Sequence, residues 1–215
     1  DYTKGNRFFN LDKVQQMPRV RIFGNAILSF LTKLSSGYWD VFDPTNGYTA
    51  LHSEVAKSIP FSKISHDYFF ESDMLFRLNT LRAVVEDIPM DARYGDEKSN
   101  MKISRVAVRF LWKHWINITK RIFYNYYLRD MSVASIELPL GGILLLFGLG
   151  FGSYHWLSSF EKGVATPVGT IMLSVISLLL GLQFVLAFVA YDISNLPRKP
   201  IHGRLKPQIK SQSGK

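Results

Sequence analysis

The sequence predicts an α/β domain that continues into an amphipathic helix and is anchored in a membrane by two helices. Two long apolar runs near the C-terminus predict the anchor. Apolar residues at helical spacing, interrupted by short β-branched segments, predict the domain. The 215 residues are enough for one domain of ordinary size and the anchor.

The two apolar runs are long enough to cross a bilayer. Residues 138–160 contain no acidic or basic side chain apart from His155, and residues 164–191 contain none. Each run exceeds the roughly 20 residues that a helix needs to span about 30 Å of hydrocarbon. A core helix of a soluble protein rarely extends so far without a charge. We therefore predict transmembrane helices at 136–160 and 164–193.

Basic residues lie on both sides of the predicted spans but hardly between them. The connecting loop has only Lys162, next to Glu161. Because Lys and Arg remain on the cytoplasmic side of a membrane, both termini are expected to be cytosolic and the loop external. The flanking basic residues are Lys98, Lys102, Arg105, Arg109, Lys113, Lys120, Arg121, Arg129, Arg198, Lys199, Arg204, Lys206, Lys210 and Lys215.

Composition narrows the function classes. The chain has no cysteine, which excludes disulfides, thiolate catalysis and zinc-thiolate sites. The formal charge of +9 and the aromatic content of 14% would also suit a nucleic-acid binder. Since the basic residues flank the spans, we assign them to topology and to contacts with anionic lipid, and we expect no nucleic-acid partner.

The region before the spans alternates helical and extended patterns, which favours an α/β domain over a bundle or a sandwich. Apolar spacing, turn letters and β-branched residues define its elements. The predicted elements are a helix from Ile22 to Leu34 ended by Gly37, a turn in the DPTNG letters at 43–47, a short helix capped by Ser53 and ending at Ile59, a helix at 71–82, and a strand at 83–88.

Residues 103–122 predict an amphipathic basic helix within a juxtamembrane segment, 103–130. Its apolar residues share one face, whereas Arg105, Arg109 and Lys113 follow one another at i+4 on another. Such a helix suits the membrane interface, and the alternative is a surface helix packed on its own domain. Tyrosines at 124, 126 and 127 favour the interface, where aromatic rings concentrate. The basic tail, 194–215, is expected to be flexible from Pro197 onward.

Three close sets of polar residues in the domain could carry chemistry, and the stretch DARYGDEKSN at 91–100 has the composition of a phosphate site. An Arg can bind phosphate through two parallel hydrogen bonds, and glycine lets the backbone approach it closely. The alternatives are carboxylates that only face a helix dipole and a turn that is only solvated. The sets are Asp43, Thr45 and Asn46; Glu71 and Asp73; and Arg93, Gly95, Glu97, Ser99 and Asn100.

The order of four motifs resembles a known family. The motifs are KGNRFF at 4–9, DPTNGY at 43–48, FFESDML at 69–75 and DIPMDARYGDEKSN at 87–100, followed by two spans. Together they resemble the C-terminal part of family-two, GT-A-type glycosyltransferases that act on polyprenyl phosphates, such as dolichol-phosphate mannose synthases and undecaprenyl-phosphate sugar transferases. The resemblance makes residues 1–102 a partial GT-A-type domain.

The resemblance also implies roles for individual residues. The implied catalytic residues are Asp43, Glu71 and Asp73. The implied contacts to phosphate and acceptor are Arg7, Arg21, Thr45, Asn46, Arg93, Gly95, Ser99 and Asn100. Residues Arg105, Arg109 and Lys113 are expected at the membrane interface. A phosphate acceptor is already an anion near pH 7, so arginines that hold two anions close together would do most of the work.

The implied function is inverting transfer of a sugar from a nucleotide sugar to a polyprenyl phosphate at the cytosolic membrane face. The strand, nucleotide loop and DxD-type motif that open such enzymes do not precede Asp1, so the chain is expected to be the acceptor-side half. The divalent cation, Mg or Mn, would then have its ligands in a separate N-terminal half. The alternative is a membrane-anchored subunit that binds lipid phosphate or assists assembly without catalysis. Gly148 and Gly152, a GxxxG pattern, would serve either a homo-oligomer or packing within the chain.

Overall fold

The computed structural model describes residues 1–9, 19–43, 46–90 and 103–205, with the side chains of 19–21 and 103–107 outside the description. Most of these residues are helical, and a small sheet of three strands accompanies the helices. Two helices are long and apolar enough to cross a membrane. The predicted α/β class therefore holds only in part, because the strands are few and short.

The described elements follow one another as strands β1 to β3 and helices α1 to α7. A 3₁₀ turn at Phe61–Lys63 and a π-helical turn at Tyr124–Arg129 lie between them. The strands and helices are β1 (Tyr2–Asn6), α1 (Arg19–Ser36), β2 (Thr49–Leu51), α2 (Ser53–Ser58), α3 (Phe70–Leu81), β3 (Val85–Pro89), α4 (Ile103–Phe123), α5 (Ala134–Glu161), α6 (Val168–Ser194) and α7 (His202–Leu205).

The chain forms two compact units, the sheet unit (residues 1–123 and 196–215) and the hairpin unit (residues 124–195). In the sheet unit, the strand order is β2-β1-β3. β1 pairs with β2 in antiparallel orientation and with β3 in parallel orientation, with Tyr2 opposite Val85 and Asn6 opposite Pro89. The carboxyl ends of β1 and β3 therefore lie side by side.

One hydrophobic core supports the sheet. Tyr2 and Val85 point into it from the strands, and Leu75 and Leu78 enter from α3. The predicted helices and the strand at 83–88 agree with the structure within two residues at their ends, except that α1 begins three residues earlier and α6 begins four residues later. The cap of α2 is His52, whose Nδ1 accepts the Glu54 N–H, one residue before the predicted cap.

Helices α1, α3 and α4 pack against one another through polar side chains. Gly37 follows α1 with φ +79°, a conformation that glycine adopts without strain. The buried guanidinium of Arg121 donates from Nε and Nη2 to the Leu34 carbonyl at 3.1 and 2.8 Å, so a cation satisfies the C-terminal end of α1. A Cβ on Gly37 would lie 2.8 Å from that guanidinium.

The segment after α6 belongs to the sheet unit, whereas the sequence predicted a flexible tail from Pro197. Leu196 and Ile201 pack against the hydrophobic core. The carboxylate of Asp1 accepts hydrogen bonds from the Ile201 and His202 amides at 2.9 Å, and His202 stacks on His52 with ring centroids 4.4 Å apart. Because these partners are distant in sequence, the tail's composition carried no signal of them.

The hairpin unit consists of α5 and α6 packed closely through glycines. A Cβ on Gly181 would lie 2.9 Å from the Leu145 nitrogen and 3.0 Å from the Gly141 oxygen. Gly148 and Gly152 both face Ser174, whose hydroxyl donates to the Gly148 carbonyl at 2.8 Å. The GxxxG pattern therefore packs within the chain, which was one of the two readings that the sequence left open.

Replacing Gly181 by valine is expected to destabilise the hairpin unit. The new side chain meets backbone atoms that cannot rotate away, and overpacking of this kind costs about 1 to 3 kcal/mol. Thermal unfolding in detergent would measure the loss. Gly142→Val is the matched control, because a Cβ on Gly142 has nothing within 4 Å among the described residues. Equal stability of the two variants would contradict the close packing.

Tyr126 lies inside the hairpin unit. It is 2% exposed, its hydroxyl donates to Asp192 Oδ1 at 2.5 Å, and its ring meets that of Phe188 edge to face at 5.1 Å. The sequence placed the tyrosines at the membrane interface on composition alone. For Tyr126, the structure adds a buried hydrogen bond to the end of α6, and its depth in a membrane stays a prediction.

Candidate functional site

The candidate site lies where the parallel strands β1 and β3 end. Ligands of open α/β sheets bind outside the carboxyl ends of parallel strands, because loops rather than strands continue from there. Arg7 follows β1 directly, and Asp87 projects from β3 opposite Lys4. Asp43 and Asn46 reach the same place from the segment between α1 and β2.

Arg7 and Asp43 form a bidentate ion pair. The guanidinium donates from Nε to Asp43 Oδ2 at 2.7 Å and from Nη2 to Oδ1 at 2.9 Å, and the Arg7 amide donates to Oδ2 at 3.2 Å. The Asp43 side chain is 0% exposed, whereas that of Arg7 is 19% exposed. Both oxygens of Asp43 are therefore engaged with Arg7, so this carboxylate orients the guanidinium. Sequence reasoning had Asp43 as a catalytic residue in its own right.

Asp87 is the second carboxylate of the site, and sequence reasoning did not single it out. Its Oδ2 accepts from Asn6 Nδ2 at 2.7 Å and from the Phe42 amide at 2.9 Å. Burial raises the pKa of Asp87, while these two hydrogen bonds and Lys4 oppose the rise. Its Oδ1 is buried and has no hydrogen-bond partner among the described residues.

Lys4 is a fully buried cation beneath the site, and it too was missed. Its ammonium donates to the Asn46 carbonyl, and the side-chain amide of Asn46 donates back to the Gly5 carbonyl at 2.7 Å. Burial lowers the pKa of Lys4, and the charges of Glu71, Asp43 and Asp87 oppose that shift. Strand alternation was the available signal, because Lys4 and Asn6 share a face with the core residue Tyr2.

The structure separates the two acidic residues at the start of α3. Glu71 lies near the candidate site, since a Cβ on Gly47 would be 4.0 Å from its Oε1 and its charge acts on Lys4. Asp73 is buried on another side of the helix, where its carboxylate accepts from the Ser65 amide at 2.9 Å and from Asn117 Nδ2 at 3.2 Å. Asp73 therefore joins α3 to α4 and to the preceding loop.

Two of the residues predicted at the membrane interface pair with a carboxylate of their own unit. Lys113 Nζ lies 2.7 Å from Asp67 Oδ2, and Arg109 Nη2 lies 3.6 Å from the same oxygen. Burial raises the pKa of Asp67, but the Lys113 hydrogen bond and a bond from the Phe69 amide outweigh it and lower the pKa overall. For Arg105 the structure describes only the helical backbone and not the side chain.

A different face of α4 is apolar and exposed. Trp112 and Trp115 are 64% and 62% exposed, and α1, which packs on α4, exposes Phe23 at 69%. Helix α4 therefore has features of both predicted alternatives. One side packs on its own domain, as a surface helix would, and another side exposes apolar rings, as a helix at a membrane interface would. The exposed apolar residues of the two helices are Phe23, Ile27, Phe30, Val108, Leu111, Trp112, Trp115 and Phe123.

The remaining predicted contacts fall outside what the structure describes. The side chain of Arg21 lies in the part of α1 without described side chains, although its backbone is helical. Thr45 and the whole proposed phosphate element lie outside the described residues, the latter comprising Arg93, Gly95, Ser99 and Asn100. Within the described ranges, the site therefore rests on Arg7, Asp43, Asn46 and Glu71, with Lys4, Asn6 and Asp87 added by the structure.

The described residues contain no group of three or more His, Asp or Glu side chains arranged to hold a metal ion. Comparison of the chain with protein-family models, with curated proteins and with solved structures finds no match. The chemistry of the site must therefore be argued from its own side chains.

Proposed function

We propose that this chain is the acceptor-side part of a membrane glycosyltransferase that passes a sugar from a nucleotide sugar to a polyprenyl phosphate, with inversion, at the cytosolic membrane face. The observation that carries the proposal is the Arg7 guanidinium, held by the buried Asp43 carboxylate at the carboxyl ends of two parallel strands. A guanidinium fixed in this way suits a phosphate oxygen, which takes hydrogen bonds from a planar donor.

The exposed apolar face supports a lipid as the carrier of that phosphate. Trp112 and Trp115 on α4 and Phe23 on α1 belong to the same compact unit as Arg7. Large exposed apolar patches mark sites of interaction with membranes or other proteins. Tryptophan concentrates at membrane interfaces because its ring is apolar and its N–H is polar. The two helices that could cross a membrane, α5 and α6, favour the membrane reading.

The chemistry needs little from a general base. A phosphate monoester is largely ionised near pH 7, so its oxygen is already a nucleophile. The described residues would contribute orientation, with Arg7 binding the acceptor phosphate and Asp43 fixing the guanidinium plane. Among the carboxylates near the site we assign a contact with the sugar to Glu71, and the complete enzyme would also bind the nucleotide sugar with its divalent cation.

Replacing Arg7 by lysine is expected to weaken the binding of a prenyl phosphate at least about tenfold. Lysine keeps the charge but loses the planar donor pair, and a hydrogen bond to a charged group is worth about 1.5 to 3 kcal/mol. The affinity for farnesyl phosphate would be measured with the purified chain in phosphatidylcholine nanodiscs. Farnesol and inorganic phosphate, measured in parallel, separate the contribution of the lipid chain from that of the phosphate.

Arg77→Lys is the matched control, because Arg77 lies in the second half of α3 and donates to the carbonyl of Lys63 in the preceding 3₁₀ turn. It should bind farnesyl phosphate like the natural chain. Wild-type affinity in Arg7→Lys, or equal affinity for farnesol and farnesyl phosphate, would count against the phosphate site. If binding is specific but no sugar is transferred even with a nucleotide-sugar-binding half present, the protein is the non-catalytic binding subunit instead.

A further inference from the structure

The buried lysine beneath the site is not explained by packing. Lys4 is 0% exposed at the centre of a small sheet, where an apolar side chain of the same length would fill the space without desolvating a charge. Its ammonium instead donates to the carbonyl of Asn46, three residues before β2 begins at Thr49. Because burying this charge costs free energy, we looked to its contacts for a functional role.

The first contact of Lys4 fixes a backbone segment. Asn46 is tied to β1 twice, by its carbonyl to Lys4 and by its amide nitrogen Nδ2 to the Gly5 carbonyl. The Tyr48 amide donates to Asn46 Oδ1 at 3.1 Å, and the Gly5 amide donates to the Tyr48 carbonyl at 2.9 Å. Residues 46–48 are thus held against β1 by several hydrogen bonds. Among the described residues, Lys4 supplies the only one of these bonds that involves a charged group.

The second effect of Lys4 is electrostatic. Asp43, Glu71 and Asp87 all act on its ammonium, and Arg7 is the other cation of the group. Two cations therefore face three carboxylates. Without Lys4, one cation would face three carboxylates, and the site would repel an approaching phosphate more strongly.

We propose that Lys4 is a positioning residue of the anion site, which fixes residues 46–48 against β1 and balances the carboxylates around Arg7. The proposal rests on the proposed function, because the anion it serves is the lipid phosphate. Lys4 touches no ligand itself. It acts through Asn46 and through the charge of the site.

The test uses Lys4→Met, which keeps the length of the side chain and removes its charge, in the full chain in nanodiscs. Lys57→Met is the matched control, since Lys57 is exposed and contacts only Glu54 among the described groups. Lys4→Met should lower the affinity for farnesyl phosphate at least about tenfold, and Lys57→Met should leave it unchanged. Farnesyl phosphate affinity equal to wild type in Lys4→Met would overturn the proposal.

A double variant tests whether Lys4 acts through its charge or only through packing. Lys4→Met combined with Glu71→Gln removes one carboxylate with the cation, so it should regain part of the lost affinity. A purely structural lysine would give no regain, and an unchanged loss in the double variant would overturn the electrostatic part.

The pH dependence of farnesyl phosphate affinity in the wild-type protein tests the same charge without a variant. As pH rises through the lowered pKa of Lys4, the ammonium loses its charge, so affinity should fall at a pH below that of an exposed lysine. Asp43, Glu71 and Asp87 are the carboxylates that act on the ammonium, and Arg7 keeps its charge because a guanidinium does not deprotonate in proteins. Burial raises the pKa of Tyr2, which moves its deprotonation to higher pH, whereas that of Lys4 moves lower. An affinity that stays flat up to pH 10.5, the ordinary pKa of lysine, would contradict the role of the charge.

Hydrogen exchange distinguishes failure of this inference from failure of the proposed function. In the ligand-free chain, the amides of Gly47 and Tyr48 should exchange faster in Lys4→Met than in Lys57→Met. If wild type does not bind farnesyl phosphate, the proposed function fails, while faster exchange would still support the fixing of residues 46–48. Unchanged exchange in Lys4→Met would overturn that fixing whatever the ligand result.

Discussion

Asp43→Ala is expected to destabilise the sheet unit by about 3 kcal/mol and to abolish measurable farnesyl phosphate binding. Removing one partner of a buried ion pair leaves the other charge without compensation, which costs about 3 to 5 kcal/mol. The lower figure applies because the Arg7 side chain keeps 19% exposure and can turn toward water. Binding is lost because the guanidinium is then no longer held in one plane.

Urea unfolding of the full chain in detergent would measure the stability, and the nanodisc assay would measure the affinity. Asp40→Ala is the matched control, since Asp40 lies on the same segment but is exposed. A second variant separates the two effects. Arg7→Met with Asp43→Leu replaces the pair by apolar side chains and should recover stability without recovering binding. Full affinity in Asp43→Ala would rule out the orienting role.

Local periodicity predicted the helices of this protein well. The apolar spacing from Ile22 to Leu34 and the stop at Gly37 describe α1 because both signals act within one helix. The same reasoning identified only β3 among the three strands, since strands of three to five residues leave little pattern. β1 was missed altogether, because Lys4 and Asn6 occupy its inward positions where apolar residues were expected.

The site was predicted as a set of residues but not as an arrangement. Arg7 and Asp43 were both named from the motifs, yet the 36 positions between them hid the fact that they bind each other. Glu71 and Asp73 are two positions apart on a helix, which directs them to different sides. Helical periodicity alone could have predicted that Glu71 and Asp73 point in different directions. The contact between Arg7 and Asp43 could be predicted only from the pairing of the strands.

The basic row on α4 illustrates a different limit. Its i+4 spacing correctly indicated one face of a helix, and the membrane was the natural partner for three cations beside a span. The partner that the structure gives to Lys113 and Arg109 is Asp67, from a loop that only the folded chain brings to α4. Arg109 keeps 71% exposure beside that contact, so it and the apolar rings both remain exposed candidates for lipid contact.

The polar seam between α1, α3 and α4 contains a buried histidine whose state should depend on pH. His114 is 1% exposed and lies against the ring of Phe69, with centroids 4.8 Å apart. Its Nδ1 lies 2.8 Å from Ser35 Oγ, and that hydroxyl itself donates to the Thr32 carbonyl at 3.2 Å. Nδ1 and this hydroxyl therefore share a hydrogen bond, and Nε2 is buried without a partner among the described residues.

Acid is expected to destabilise the sheet unit through His114 by about 3 kcal/mol between pH 6.5 and pH 4. Burial lowers the pKa of His114 to about 4 from its ordinary 6.5, so the unfolded chain binds the proton first as pH falls. The contribution to stability is complete above pH 6.5 and is lost progressively down to pH 4, at about 1.4 kcal/mol for each pKa unit. Urea unfolding at pH 7.5 and at pH 4.5 would measure it.

His114→Phe should remove this part of the pH dependence, whereas His66→Gln, at an exposed histidine, should keep it. The same slope in His114→Phe and in wild type would mean that other groups cause the acid sensitivity.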